Sequence, residues 1–267
     1  MKRLLMVAAL CLGAAGVQAA EVCTLVADAR SGAVLLEQGD CDTRITPAST
    51  FKVPLALIGF ETGFLTDTQT PVFTPQDGDP DWGGKAWQQP TTPERWLKYS
   101  VVWYSQRITR ALGADVLRDH ALAYGYGNGD FTGDAGFDNG LERAWIASSL
   151  KVSPREQVAF LRGLVTDRLP ATPRAMALTR ATVETREADG WQVKGKTGAA
   201  SPRRADRSLD RAAAWGWFVG WAQKDGRLLV FATLTQGRTG QEGSPGHLAR
   251  DAFLEDWPAL VATLPER

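Results

Sequence analysis

The sequence predicts an α/β fold of the α+β type, in which both ends of the chain build one antiparallel sheet. Two short β-like runs lie near the start, at 23–27 and 34–37, and three more lie between 191 and 236. The segment between these two groups is helical and rich in loops, so we expect a helical insert over roughly residues 66–188. Strands at both ends with helices between them favour a sheet flanked by helices.

Local signals in the first half of the chain predict its elements in order. Residues 30–32 are Arg, Ser and Gly, which supply turn chemistry, so the two N-terminal runs are predicted to form a hairpin. Thr92 followed by Pro93 is typical of a helix start with threonine as the cap. Ser153 and Glu156 have the spacing of a capping box and predict the start of another helix.

The C-terminal part changes to strands and then to a last helix. Residues 191–197, 213–222 and 227–236 are rich in β-forming side chains, and Lys-Asp-Gly at 224–226 predicts a hairpin turn. Residues 247–264 have the pattern of an amphipathic helix. An active site at the seam between such a sheet and the helical insert is a common arrangement.

Composition limits the class of protein. The chain has 267 residues, of which 44% are hydrophobic, and 30 basic residues balance 30 acidic ones. This size and composition suit a single domain, predicted over residues 20–267. No block of like charges occurs in the sequence, so neither nucleic acid nor an anionic surface is predicted as a partner.

The N-terminus has the pattern of a secretory signal peptide, predicted over residues 1–19. Lys2 and Arg3 precede an apolar stretch at 4–17, and the small residue Ala19 suits a cleavage site. The apolar stretch is too short to span a bilayer comfortably. The mature protein is therefore predicted to be exported and periplasmic, without stable membrane insertion.

Two cysteines, Cys23 and Cys41, would remain in the mature chain after cleavage. An even pair in an exported protein usually forms a disulfide, because the compartment is oxidising. The alternative is two buried free thiols.

Several common chemistries are poorly supported. His120 and His247 are far apart in sequence and no paired Cys or His has ligand spacing, so no metal site is predicted. Two histidines do not exclude a serine–histidine triad, but the G-x-S-x-G pattern is absent from the sequence. Residues 190–197 match the letters of a phosphate-binding loop, yet their interior is typical of a strand and no convincing helix follows. A nucleotide site is therefore disfavoured.

Ser49 and Lys52 form the candidate catalytic pair. Residues three apart on a helix share a face, so the two side chains can meet. A serine hydroxyl needs a base, and lysine can be that base only where burial keeps its amine neutral. The apolar neighbours at 53–56 suit such burial. The alternative is an ordinary helix start, with Ser49 as the cap and Lys52 in solvent.

Three further elements follow the S-x-x-K pair in order: Ser100-Val101-Val102, Tyr126-Gly127-Asn128 and Lys196-Thr197-Gly198. The set resembles the penicillin-recognising serine enzymes. Val102 and the Tyr-Gly-Asn element resemble the class D, oxacillinase-type β-lactamases in particular. The other matching elements are Trp145, 149–153, Glu156-Gln157 and 216–221. The resemblance covers essentially the whole mature chain and implies the penicillin-recognising serine-enzyme fold.

The resemblance implies hydrolysis of β-lactam antibiotics through an acyl-enzyme on Ser49. Lys52 would be the general base for acylation and deacylation, N-carboxylated by carbon dioxide or bicarbonate. Trp145 would steady that carbamate, and Ser100 would relay a proton to the leaving lactam nitrogen. The backbone N–H groups of Ser49 and Ala199 would form the oxyanion hole.

The resemblance also implies a set of substrate contacts. Lys196 and Thr197 would hold the region of the substrate carboxylate, and Lys196 also belongs to the catalytic group. Arg250 is the best match for the arginine that the family places at the start of its last helix, and a solvated helix arginine is the alternative. The other expected contacts are Val102, which would keep the pocket dry, Tyr126, Ile146 and Gly198.

Two other functions remain open from the sequence. The first is a cell-wall DD-peptidase or transpeptidase with the same serine and lysine, although Val102 and Trp145 favour a carboxylated Lys52 and therefore turnover. The second is a non-enzymatic β-lactam sensor domain, which would need membrane-spanning helices besides the cleavable signal. We expect a monomer or a homodimer. The choice among penicillins, cephalosporins and carbapenems stays open.

Overall fold

Strands from both ends of the chain form one antiparallel sheet, which confirms the predicted fold class. The computed structural model describes residues 19–237 and 242–265, so the predicted signal peptide lies almost entirely outside the described residues. The strands are β1 (Ala20–Asp28), β2 (Val34–Gly39), β3 (Thr185–Ala188), β4 (Trp191–Ala200), β5 (Trp215–Lys224) and β6 (Arg227–Gln236). Their order across the sheet is β2-β1-β6-β5-β4-β3.

Helices make up about half of the chain between β2 and β3, and a further helix closes the chain. The α-helices of the described residues are α1 (Lys52–Glu61), α2 (Pro93–Tyr99), α3 (Val102–Ala123), α4 (Gly140–Arg143), α5 (Pro154–Val165), α6 (Pro173–Thr182) and α7 (Pro245–Thr263), and short 3₁₀ helices lie at Ala48–Phe51, Gly84–Trp87 and Arg211–Ala213. Within 19–237 and 242–265, none of these helices combines the length and apolar character needed to cross a bilayer.

The two predicted hairpins are present. β1 pairs with β2 in antiparallel register, with Val26 opposite Leu36. β5 pairs with β6 through a two-residue turn in which Asp225 and Gly226 have φ values of 48° and 76°. Positive φ at both central residues is the backbone that matches the twist of the flanking strands, and Asp-Gly adopts it readily.

The edge strand β3 lies inside the region predicted as a helical insert. The last helix of that region ends at Thr182, and Thr185–Ala188 pairs antiparallel with Trp191–Lys194 of β4. The turn between β3 and β4 contains Gly190, which has φ of 75° and therefore suits a tight hairpin. The helical part of the chain is thus a few residues shorter than predicted at its C-terminal side.

The predicted helix starts are confirmed by their caps. The Thr92 side chain accepts a hydrogen bond from the Arg95 backbone N–H at 3.2 Å. Ser153 and Glu156 form a capping box, in which the serine hydroxyl accepts from the Glu156 N–H and a Glu156 carboxylate oxygen accepts from the Ser153 N–H. Such caps satisfy N–H groups that the first helical turn leaves without partners.

Both faces of the sheet are covered. α7 packs on one face, where Phe253 stacks on Phe231 with ring centroids 4.6 Å apart and Trp257 lies next to both. α5 and the other helices cover the opposite face, where α5 contacts β1, β5 and β6. Burial of these apolar faces holds the helical part against the sheet.

A disulfide joins Cys23 on β1 to Cys41 just after β2, as predicted. The bond closes a segment with a sequence separation of 18 residues, and a loop of this length contributes about 3 kcal/mol in the chain-entropy description. Both cysteines are buried, so the bond fixes the outer hairpin to the core.

Candidate active site

Ser49 lies on a rigid 3₁₀ turn that leads directly into α1. Ala48, the residue before it, has φ of 50°, which tilts the turn out of the preceding chain. The Thr50 hydroxyl donates to Pro47 O at 2.7 Å and accepts from Gln157 Nε2 at 2.7 Å. These fully or nearly fully buried groups fix the backbone on both sides of Ser49, whose own side chain stays partly accessible.

Lys52 is the first residue of α1 and is fully buried. Its Nζ donates a hydrogen bond to Ser49 Oγ at 3.3 Å. Burial, with a smaller contribution from the positive charge of Lys196, holds the pKa of Lys52 well below its usual value. A neutral amine within reach of a serine hydroxyl has the geometry of a general base.

Ser100 and Lys196 form a second polar pair. Ser100 ends α2 in the left-handed conformation, with φ of 55°, and thereby directs the chain back into the cleft before α3 begins. Lys196 Nζ donates to Ser100 Oγ at 2.5 Å. Burial lowers the pKa of Lys196 to about 7, although Glu184 opposes this shift. Lys196 can therefore hold or release a proton near neutral pH.

The second half of β4 lies next to Ser49, where the short edge strand β3 no longer covers it. β3 pairs with β4 only as far as Lys194, so residues 195–200 continue beyond it. At Gly198 an added Cβ would lie 2.8 Å from Pro47 O, which means that only glycine allows the strand to approach the Ser49 turn so closely. Thr197, partly buried, and Ala199, exposed, flank that contact.

Arg250 reaches the same region from α7. A Cβ at Gly246 would lie 2.4 Å from Gly198 O, so the start of α7 packs directly on β4. A pocket of about 220 Å³ is lined by Lys196, Thr197 and Arg250 among others. The Arg250 side chain is 18% exposed and its Nε donates to Asp251 Oδ1 at 2.7 Å. Arg250 is therefore a pocket residue and not a freely solvated one.

Trp145 belongs to the segment of residues 130–152, which we call the Trp145 segment. Its ring is fully buried and packs against Phe51, with centroids 5.5 Å apart. Thr46 holds the backbone here, since its hydroxyl donates to Trp145 O at 2.7 Å and accepts from Ala147 N at 3.1 Å. Among the residues that the structure describes, nothing accepts a hydrogen bond from Trp145 Nε1.

The remaining predicted substrate contacts fall into two groups. Val102 is 5% exposed at the start of α3, next to Ser100, and Ile146 is partly exposed beside Trp145. Tyr126 is different, because it is fully buried between Phe51 and Phe160. This corrects its assignment as a substrate contact: its ring packs behind the Ser49 turn.

Two residues support the site in ways that the sequence did not reveal. Thr46 has no sequence signal, because its burial and its bonds to the Trp145 segment depend on the tertiary fold. Asn128 belongs to the Tyr-Gly-Asn element, and its side chain donates to Ser149 O and accepts from Lys151 N, both at 2.9 Å. That element therefore positions the Trp145 segment.

Two other chemistries can be compared with the described part of the chain. Within the described ranges, no group of three or more His, Cys, Asp or Glu side chains could hold a metal ion. The phosphate-loop lookalike at 190–197 lies within the β3–β4 turn and β4, and the chain stays extended to Ala200. A phosphate cradle needs a helix N-terminus at that point.

Comparison with known proteins identifies the family of the chain. Residues 22–254 match the penicillin binding protein transpeptidase domain. The chain is 38% identical over 241 residues to β-lactamase OXA-9 of Klebsiella pneumoniae, covering 90% of this chain and 88% of the relative. It is 36% identical over 224 residues to β-lactamase OXA-1 of Escherichia coli, covering 82% and 78%. The crystal structure of OXA-427, a class D β-lactamase, superposes with a TM-score of 0.83 at 42% identity and covers 91% of this chain and 99% of that one.

The sheet, the Ser49–Lys52 pair and the Ser100–Lys196 pair define a serine enzyme of the penicillin-recognising type. Within that class, the sequence identities to OXA-9 and OXA-1 and the structural match to OXA-427 show to which family the chain belongs. The chain belongs to the class D β-lactamases, the serine hydrolases of β-lactam antibiotics that act in antibiotic resistance.

Proposed function

We propose that this enzyme opens β-lactam rings through an acyl-enzyme on Ser49, with a carboxylated Lys52 as the base in both half-reactions. The observation that carries the proposal is the fully buried Lys52 amine, 3.3 Å from Ser49 Oγ. Burial lowers the pKa of Lys52 well below its usual value and so favours the neutral amine. A neutral amine can form a bond to the carbon of carbon dioxide and lose one proton, whereas an ammonium ion cannot.

The residues around Lys52 fit a carboxylated side chain. Trp145 Nε1 is a buried donor without an acceptor in the described chain, and its ring lies against Phe51, the neighbour of Lys52. A buried donor left unpaired costs about 1–3 kcal/mol, and a carbamate oxygen would remove that cost. The bound group would supply an anionic base that accepts the Ser49 proton and later activates water. Val102, nearly fully buried, supports exclusion of bulk water.

The chain's own residues account for the rest of the reaction. Ser100, bonded to Lys196, would pass a proton to the lactam nitrogen as the ring opens. The backbone N–H groups of Ser49 and Ala199 would stabilise the charge that develops on the carbonyl oxygen. Thr197 and Arg250 would bind the substrate carboxylate. Ile146 and Gly198 would border the substrate. The positions of these residues around Ser49 support the assignments.

Carbon-13 NMR of protein equilibrated with labelled bicarbonate tests the modification of Lys52. We expect a carbamate resonance in the parent protein and in Lys85→Ala, which removes an exposed lysine. The resonance should be missing in Lys52→Ala. Activity should fall in degassed buffer and recover with bicarbonate. Full activity without bicarbonate, with no such resonance, would mean that Lys52 acts as an unmodified amine, as in the peptidase branch.

Arg250→Ala should weaken the enzyme through loss of the substrate carboxylate contact. A hydrogen bond to a charged group contributes about 1.5–3 kcal/mol, which corresponds to a loss of roughly 10- to 150-fold in kcat/KM. The loss should appear mainly in KM, measured with a penicillin, and Arg250→Lys should recover part of it. Arg227→Ala, which removes an arginine bonded to Pro265 O, is the control. Unchanged kcat/KM in Arg250→Ala would show that the substrate carboxylate binds elsewhere.

Export to an oxidising compartment is part of the same proposal. The Cys23–Cys41 disulfide supports it, because such bonds persist outside the reducing cytosol. The signal-peptide pattern of the sequence points to the periplasm.

A further inference from the structure

The pocket that contains Arg250 is larger than a single carboxylate requires. Its volume is about 220 Å³. One water molecule needs only about 10–15 Å³ of such space. Besides Lys196, Thr197 and Arg250, the side chains that line it include Lys98, Tyr99, Glu184, Arg186 and His247. The pocket therefore extends beyond the groups to which the substrate carboxylate is assigned.

The wall of the pocket near the start of β3 is held by hydrogen bonds. Thr185, the first residue of β3, pairs with Lys194 of β4, and the lining residues Glu184 and Arg186 flank it in sequence. Lys194 Nζ donates to Val183 O at 3.2 Å, which fixes the chain just before Glu184. Arg186 Nη2 donates to Glu184 Oε2 at 2.8 Å. This part of the pocket is therefore formed before any ligand binds.

Positive charge predominates along the pocket wall. Lys98, Arg186 and Arg250 contribute cationic side chains, and Lys98 is exposed at the end of α2. Among the described residues of the wall, Glu184 is the only carboxylate. Asp251, outside the wall, accepts a hydrogen bond from Arg250 at 2.7 Å. These two carboxylates do not balance the cations that surround the pocket.

His247 responds to the same positive charge. It lies on the wall, three residues before Arg250 on α7. Partial burial lowers the pKa of His247, and the positive charges of Arg250 and Lys196 lower it further. Nearby cations thus disfavour the charged imidazole, and an anion in the pocket would offset their excess.

We propose that this pocket is also a subsite for an anionic substituent placed next to the substrate carboxylate, as at C3 of a cephalosporin. In cephalosporins, C3 is bonded directly to the carbon that carries the carboxylate. A carboxylate held by Thr197 and Arg250 therefore brings the C3 substituent to the rest of the pocket. An anionic substituent would meet Lys98 and Arg186 there, whereas a cationic one would be repelled. The inference rests on the proposed function, acylation of Ser49 by β-lactams.

The test compares two cephalosporins that share their acyl side chain and a tetrazolylthiomethyl group at C3. The tetrazole carries a methyl group in one compound and a sulfomethyl group in the other, so the two differ by one sulfonate. Their inhibition constants are measured in competition with hydrolysis of a penicillin. This measurement reports binding and acylation whether or not the cephalosporins are turned over.

The parent protein should be inhibited more strongly by the sulfomethyl compound. Arg186→Gln should lower this preference by about tenfold, the effect of losing a hydrogen bond to a charged group. Lys98→Gln should lower the preference as well. Glu184→Gln should raise it, because the change removes a carboxylate from the wall and frees Arg186 from its partner.

Arg168→Gln is the matched control, since it removes an exposed arginine outside the pocket wall and should leave the preference unchanged. The proposal is overturned if the parent protein does not prefer the sulfomethyl compound, or if Arg186→Gln and Lys98→Gln keep the parent preference. If Arg186→Gln does not fold, Lys98→Gln and Glu184→Gln decide by the opposite signs of their effects. A parent protein that hydrolyses no penicillin would instead contradict the proposed function.

Discussion

Ser49→Ala is expected to lower kcat for β-lactam hydrolysis by about 10⁶-fold, the scale on which loss of a catalytic serine acts. The change removes the hydroxyl that Lys52 contacts and leaves the hydrogen bonds of the 3₁₀ turn in place, because these involve Thr50 and Pro47. The fold should therefore survive while the nucleophile is lost.

Intact-protein mass spectrometry distinguishes loss of the nucleophile from loss of binding. With a slowly hydrolysed β-lactam, the parent protein should gain the mass of the opened substrate, and Ser49→Ala should not. Ser244→Ala is the control, since it removes an exposed hydroxyl that makes no cap bond. Rapid turnover or an adduct in the Ser49→Ala protein would place the nucleophile elsewhere.

Lys52→Ala is expected to have the second largest effect, a loss of about 10²- to 10⁴-fold, which is the usual contribution of a general base. Both half-reactions should slow. Deacylation should suffer more, because water is harder to activate than the positioned Ser49 hydroxyl. A covalent adduct on Ser49 should therefore accumulate and be visible by mass spectrometry. Lys85→Ala should turn over normally, and normal turnover in Lys52→Ala would remove this lysine from the mechanism.

The pH dependence follows from the direction of the Lys52 shift. Its folded-state pKa lies well below the usual value because the amine is buried, so the neutral form is favoured, and the amine becomes protonated as the pH falls through that lowered pKa. Protonation blocks addition of carbon dioxide, so activity should be lost on acidification and should not require high pH. After a brief exposure to acid, activity should recover at neutral pH faster with bicarbonate than without it. Samples taken at intervals after the return to neutral pH would measure this recovery.

Features set by local sequence could be predicted. The turns of the two predicted hairpins depend on Gly32 and on Asp225-Gly226. The helix starts depend on cap residues and the partners three positions after them. The Ser49–Lys52 contact is also local, because three residues on a helical turn bring the side chains together.

Features set by contacts between distant residues could not be predicted. Tyr126 belongs to a recognisable element, yet only the packing of Phe51 and Phe160 decides that its ring is buried. The ion pair between Asp134 and Arg203, at 3.0 Å, joins positions 69 residues apart, and Asp and Arg are common enough that sequence alone gives no reason to pair them. The start of β3 could not be predicted either, because a pattern of four residues is too short to distinguish a strand from the end of a helix.

The shortness of β3 has a consequence for what can bind. Beyond Lys194 the backbone of β4 continues without β3 beside it, next to the serine turn. An unfinished sheet edge offers N–H and C=O groups to any extended amide that aligns with it, in the manner of strand addition. Extending β3 by a few residues would complete the ladder and gain about 0.5–1.5 kcal/mol per added hydrogen bond. The added residues would also occupy the place that we propose for the substrate.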